Sequence, residues 1–112
     1  MLKNKRNNKI LEMHPKLCKN NFSKGLGLMF SKKPKTLIFV FNKEKIISLH
    51  MFFVFYPIDV LFLNKNKKVV QLKENFKPFR IIIPKKPAKY IIELPNNTIK
   101  KTNTKVGDTL SF

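Results

Sequence analysis

The chain has 112 residues, enough for one domain with one buried core. Hydrophobic residues make up 43% and charged residues 27%, which argues against a disordered tail, and the single cysteine, Cys18, excludes an internal disulfide. Lys and Arg number 24 against 6 Asp and Glu, a formal charge of +18 that points either to polyanion partners or to a composition bias, since Lys, Asn, Ile and Phe all have AT-rich codons.

Residues 1–9 are basic and show no periodicity. They are expected to be a disordered lead ahead of one domain over residues 10–112. No run of ~7–15 apolar residues follows the lead, so a signal peptide is not expected. The longest apolar run, residues 49–63, falls short of the ~20 residues of a spanning helix. The expected setting is therefore cytoplasmic, with no membrane span. Residues 10–13 carry apolar side chains up to Pro15, and residues 17–22 fit a helical turn or a strand equally well. His14 and Cys18, four apart, would share one face of a helix, but two ligands make no metal site.

The pair Gly25 and Gly27 marks backbone freedom or a close approach by another segment. No Gly-Lys-Ser/Thr follows, so this is not a phosphate-cradling loop. Residues 36–41 read as a buried strand. The central stretch, residues 49–63, reads as two strands joined at Tyr56-Pro57. In the first, residues 46–55, alternation puts His50, Phe52 and Val54 on one face and Met51, Phe53 and Phe55 on the other. Both faces are apolar, so both should be covered. Residues 58–63 form the second, and Pro57 belongs at a strand end. Residues 64–67 are a turn by composition, and residues 68–74 alternate after it, which predicts an antiparallel hairpin. Lys77-Pro78-Phe79 breaks the pattern. Residues 80–83 and 90–94 are further short strands, closed by Pro84 and Pro95. Glu93, between Ile92 and Leu94, is expected on the wet face. Residues 96–101 suit a helical turn with an Asn cap, Val106-Gly107-Asp108 a turn, and residues 109–112 a last strand.

Six to eight short strands with one or two helical turns predict a mainly β, single-domain sandwich or open barrel. No helix of ~10–15 residues lies between strands, so parallel crossovers are not expected.

Several segments occur in a recognisable order. They are Gly27-Leu28-Met29-Phe30, Leu37-Ile38-Phe39-Val40-Phe41, His50-Met51 with the run on to Leu63, Val69-Val70, Ala88-Lys89-Tyr90-Ile91-Ile92-Glu93-Leu94-Pro95, and Lys105-Val106-Gly107-Asp108 with the last four residues. From about residue 25 to the end the chain resembles the DUF192 family, small conserved proteins of unknown function. The resemblance implies a jelly-roll-like sandwich of the archaeal, cytoplasmic type. It brings no activity, substrate or cofactor. Much of the family has Trp-Met where this chain has His50-Met51, and Pro-Cys where it has Lys77-Pro78-Phe79. Chemistry resting on that Trp or Cys is not carried over.

The leading functional expectation is a non-enzymatic domain binding a small ligand or partner chain. Its shallow groove would lie near the glycine segment, with Gly27, Met29, His50, Met51 and Asp59 as ligand-binding residues. Asp59 inside an apolar run must find partners, either in a pocket or as a structural residue fixing a turn. An alternative is a basic nucleic-acid-associated protein using its scattered lysines plus Phe79, Arg80 or Tyr90, with salt-sensitive binding. A weaker alternative is a hydrolase built from Ser48, His50 and Asp59. Met29, Met51 and His50 would suit a soft metal, but core packing accounts for them equally. No catalytic residue, metal or cofactor is assigned.

Overall fold

The computed structural model describes residues 1–19, 35–50 and 56–112, with Leu49 and His50 described by their backbone. Within those residues the strands are β1 (Leu2–Asn4), β2 (Ile10–Glu12), β3 (Lys16–Cys18), β4 (Leu37–Lys45), β5 (Leu49–His50), β6 (Ile58–Leu63), β7 (Val69–Phe76), β8 (Ile81–Ile82), β9 (Ala88–Pro95) and β10 (Leu110–Ser111). One short helix, α1 (Thr98–Thr102), follows β9. The fold is mainly β, as expected, and no sheet among the described residues closes into a barrel.

A five-stranded sheet in the order β3-β4-β9-β6-β7 forms the centre. Its two faces carry two apolar clusters, because neighbouring residues along each strand alternate sides. Leu37, Phe39, Val60, Phe62 and Ile91 lie on one face, against which Tyr56 and Ile82 pack. Ile38, Leu61, Leu63, Ile92 and Leu94 lie on the other, under Leu2, Leu11, Ile99 and Leu110. The second face is thus covered by the three-stranded sheet β10-β1-β2 and by α1. Every residue of β6 is buried, the signature of a strand covered on both faces.

The β6–β7 hairpin forms as the spacing predicts, with Leu61 opposite Leu72 and Leu63 opposite Val69. Asn64 builds the turn. Its side-chain oxygen accepts the N–H groups of Asn66 at 2.9 Å and Lys68 at 3.1 Å, while Lys67 takes the left-handed conformation at φ 61°.

Three expectations are corrected. The basic lead is not disordered: β1 pairs with both β2 and β10, and Leu2 and Asn4 are fully buried. A three-residue strand holding one apolar anchor has no period to detect. Polar bonds from the lead hold it to the chain's other end. The Asn4 amide donates to Asp108 at 2.8 Å, and the Arg6 guanidinium pairs with the same carboxylate at 2.7 Å. Second, β3 and β4 pair in parallel, Lys16 to Leu37 through Cys18 to Phe39. The connection passes through residues 20–34, which lie outside the described residues. Third, Glu93 does not face water. It sits between Leu37 and Val60 in the cross-strand register and is 5% exposed.

Candidate functional site

The site is built outward from Asp59. Between Ile58 and Val60 the partner strand β7 spends an extra residue, since Ile58 faces Phe76 while Val60 faces Lys73. Such a bulge leaves one residue out of the ladder and redirects the strand. Here Asn75 takes a left-handed conformation at φ 52°, which Asn tolerates better than most residues. Asp59 is fully buried, and its Oδ1 accepts the Asn75 N–H at 3.0 Å. Its Oδ2 accepts the Ile99 N–H at 2.9 Å, in the first turn of α1. A carboxylate there satisfies an otherwise orphaned helix donor. Asn97, at the N-cap position, makes no side-chain capping bond. The cap expected from a neighbouring Asn is therefore supplied by Asp59, nearly forty residues earlier in the chain.

The redirected end of β7 forms one wall of a groove of about 480 Å³. Phe76 is buried at its base, and Lys73, Asn75 and Lys77 stand along that wall. Arg80, Ile81 and Ile82 of the β8 region line the groove as well. Ile81 is 61% exposed, so its aliphatic carbon is open to the groove's solvent. None of the three cations makes an ion pair with a described residue. Glu74 is the single acid at the groove. The surface therefore combines positive charge with an aliphatic wall.

On the same face of the sheet, two strands inward, Glu93 stands in the register row of Val60 and Lys73. No hydrogen bond or ion pair engages it among the described residues. Burial pushes its carboxyl up to about 8, because the apolar surroundings penalise the charge. Asp108 shows the opposite outcome. Burial alone would raise it, but bonds from Arg6, Asn4 and the Lys105 N–H, together with the Arg6 charge, bring it down to about 2.

Of the residues singled out in the sequence, Gly27, Met29 and Met51 lie outside the described residues, as does the His50 side chain. The His50 backbone is placed: it pairs with Ile81, so β5 runs beside the wall of the groove. Asp59 lies beneath the bulge, bonded to the Asn75 and Ile99 N–H groups, and does not line the groove. Of the Ser48, His50 and Asp59 set, the His50 side chain lies outside the described residues. Ser48 is exposed between β4 and β5.

The nucleic-acid set is divided. Arg80 lines the groove, and Phe79, 57% exposed at φ 60°, precedes it. Tyr90 instead packs with the cluster on the opposite face of the central sheet. It meets Phe112 edge-on at 5.2 Å, with Lys67 above both rings. Tyr90 therefore cannot join Phe79 in one stacking platform. Sequence reading missed Lys73, Lys77 and Ile81 as a group. The break at Lys77-Pro78-Phe79 signalled a change of direction but not which side chains would face each other across it.

Among the described residues there is no group of three or more His, Cys, Asp or Glu placed to hold a metal. No helix among them is long and apolar enough to cross a membrane.

The DUF192 family model, described as "Uncharacterized ACR", matches residues 2–112. A UPF0127 protein of Pyrococcus furiosus is 42% identical over 106 residues, covering 93% of this chain and 90% of its own length. One from Pyrococcus horikoshii is 36% identical, covering 100% of this chain and 98% of its own. Among solved structures, a protein of Sinorhizobium meliloti described as a "putative transcription regulator" aligns with TM-score 0.81 at 25% identity, over 87% of this chain and 79% of that one. A protein of unknown function from Novosphingobium aromaticivorans aligns with TM-score 0.81 at 19% identity, over 88% of this chain and 74% of that one, a likeness of fold.

Proposed function

The chain belongs to the DUF192 family, in company with archaeal relatives, and we propose that it is a non-enzymatic binding domain whose site is the groove between β7 and β8. One observation carries this reading. Three cations with no ion partner among the described residues share a concave surface of about 480 Å³ with exposed aliphatic carbon. That volume falls in the ~300–1,000 Å³ range of small-molecule sites. The two backbone N–H bonds account for the burial of Asp59 without a catalytic role. The separation of Tyr90 from Phe79 and Arg80 weighs against recognition of a single strand by stacked bases.

The test is a fragment screen read by amide NMR shifts. Shifts should concentrate on residues 73–77 and 80–82, whichever fragments bind. Hits confined to another surface would remove the groove from consideration. A second reading, regulation of transcription, has the solved Sinorhizobium protein's description as its support. It predicts that a ligand held in the groove changes the chain's association with nucleic acid.

A further inference from the structure

We infer that the groove selects small molecules carrying an anionic head, a phosphate monoester or carboxylate, on an apolar body of modest length. This rests on the reading of the groove as the binding site and adds the chemical class of the ligand.

The charge argument comes first. Lys73, Lys77 and Arg80 face one space with Glu74 as the lone acid, so the lining carries a surplus of positive charge. Arg80 offers a planar fork that matches two oxygens of a phosphate or carboxylate, and the lysines add point charges. Their charges are not spent on ion pairs with described residues. An anionic head is the complement of this edge of the groove.

The apolar argument is independent of charge. Ile81 and Ile82 form an aliphatic wall of the same groove, which Phe76 also lines. A free inorganic anion would leave that wall in water. An aliphatic or aromatic body attached to the head would cover it, and burial of such surface favours binding in proportion to its area. The volume sets a limit, since about 480 Å³ holds a small molecule and not a folded partner.

The site is also stiffened from below. Asp59 fixes the Asn75 N–H at 3.0 Å, and the Asn96 side chain donates to the Asn75 side-chain oxygen at 3.3 Å. A bulge tied to the core through Asp59 and bridged at the surface to Asn96 holds Lys73 and Lys77 in a set relation before any ligand arrives. Less ordering is then left to offset binding. Asp59 is a positioning residue for the groove, acting through Asn75.

The experiment uses the full chain and four probes in parallel titrations by calorimetry and amide NMR. They are octyl phosphate below its micelle concentration, octanoate, inorganic phosphate and octanol. The expected result is that octyl phosphate or octanoate binds at least ~10-fold more tightly than both inorganic phosphate and octanol, with shifts centred on residues 73–82. The order of the two amphiphiles assigns the head as phosphate or carboxylate. Arg80→Gln and Lys77→Gln should each weaken the preferred amphiphile by about 5-fold or more, and so should raising salt from about 50 to about 300 mM. Ile81→Ser should remove its advantage over the bare anion. All three residues are exposed, so the variants should fold, and unchanged thermal midpoints would verify that.

Equal binding of inorganic phosphate and octyl phosphate, or indifference to Ile81→Ser, would overturn the ligand class while leaving the groove as a site. Fragment shifts in the groove with no amphiphile binding would have the same effect. No binding of any kind at the groove would remove both readings. Binding of an oligouridylate through Lys73, Lys77 and Arg80 that octyl phosphate fails to displace would replace the small anion with single-stranded nucleic acid.

Discussion

Replacing Glu93 with glutamine should stabilise this protein near neutral pH. The carboxyl is 5% exposed, between Leu37 and Val60, and burial moves it from 4.5 to about 8. The folded state therefore holds a proton that the unfolded chain releases. Stability from this group is fully present below 4.5, falls as pH rises, and levels off once pH passes about 8. At about 1.4 kcal/mol per unit, the loss is about 3 kcal/mol at pH 7 and approaches about 5 kcal/mol at pH 8. These are upper values, yet they are a large share of the ~5–15 kcal/mol that holds a domain together. Glutamine keeps the shape and has no proton to lose. Urea denaturation of both proteins at pH 5, 6, 7 and 8 gives the test. The glutamine variant should lead by about 1 kcal/mol at pH 5 and by about 3 kcal/mol at pH 7. Parallel curves, with a constant offset across that range, would show that Glu93 titrates normally and that its burial has been misjudged.

Other perturbations address the remaining structural claims. Leu2→Ala should cost about 2–4 kcal/mol in urea unfolding, because the side chain is fully buried under the central sheet, whereas a frayed lead would show no change. Asp108→Asn should flatten the acid limb of the stability profile. Asp108 contributes stability that is present above 3.8 and lost as pH falls toward 2, about 1–2 kcal/mol after screening at the exposed Arg6 side. Asp59→Asn should cost about 2–4 kcal/mol, since its new amide must point donor hydrogens at the N–H of Asn75 or Ile99. Hydrogen exchange at those two amides should accelerate more than at β9.

The strands over residues 58–63, 69–76 and 88–95 were legible because they rest on local signals, whereas most of the strand expected over 46–55 lies outside the described strands. Asn64 and Lys67 make a tight turn, and the apolar run 58–63 has no polar alternation because β6 is covered on both faces. The lead was not legible. Leu2 is buried only because the chain's other end comes back to meet it, and nothing within nine residues announces a partner a hundred positions away. Glu93 was misread for a related reason. Alternation assigns faces but not what covers them, and a polar residue on a two-sided central strand must go inside whichever face it takes. The groove was illegible in a third way. Lys73 and Lys77 looked like any other lysines, and only the bulge at Asn75 places them at one groove with Arg80 and Ile81.

That last point bears on how the net charge should be weighed. With 24 of 112 residues Lys or Arg, several cations around any surface depression are expected from composition alone. Charge by itself therefore marks no site on this protein, and salt-sensitive adhesion to polyanions would follow from the total without any groove. What an excess of lysine does not supply is a bulge, fastened to the core through a fully buried carboxylate, at a groove that those cations share with exposed aliphatic carbon. A scattered charge pattern would bind octyl phosphate and inorganic phosphate alike and would be blind to Ile81. The discrimination between those two probes thus separates a built site from a basic surface, and Ile81→Ser tests it more sharply than the removal of any lysine.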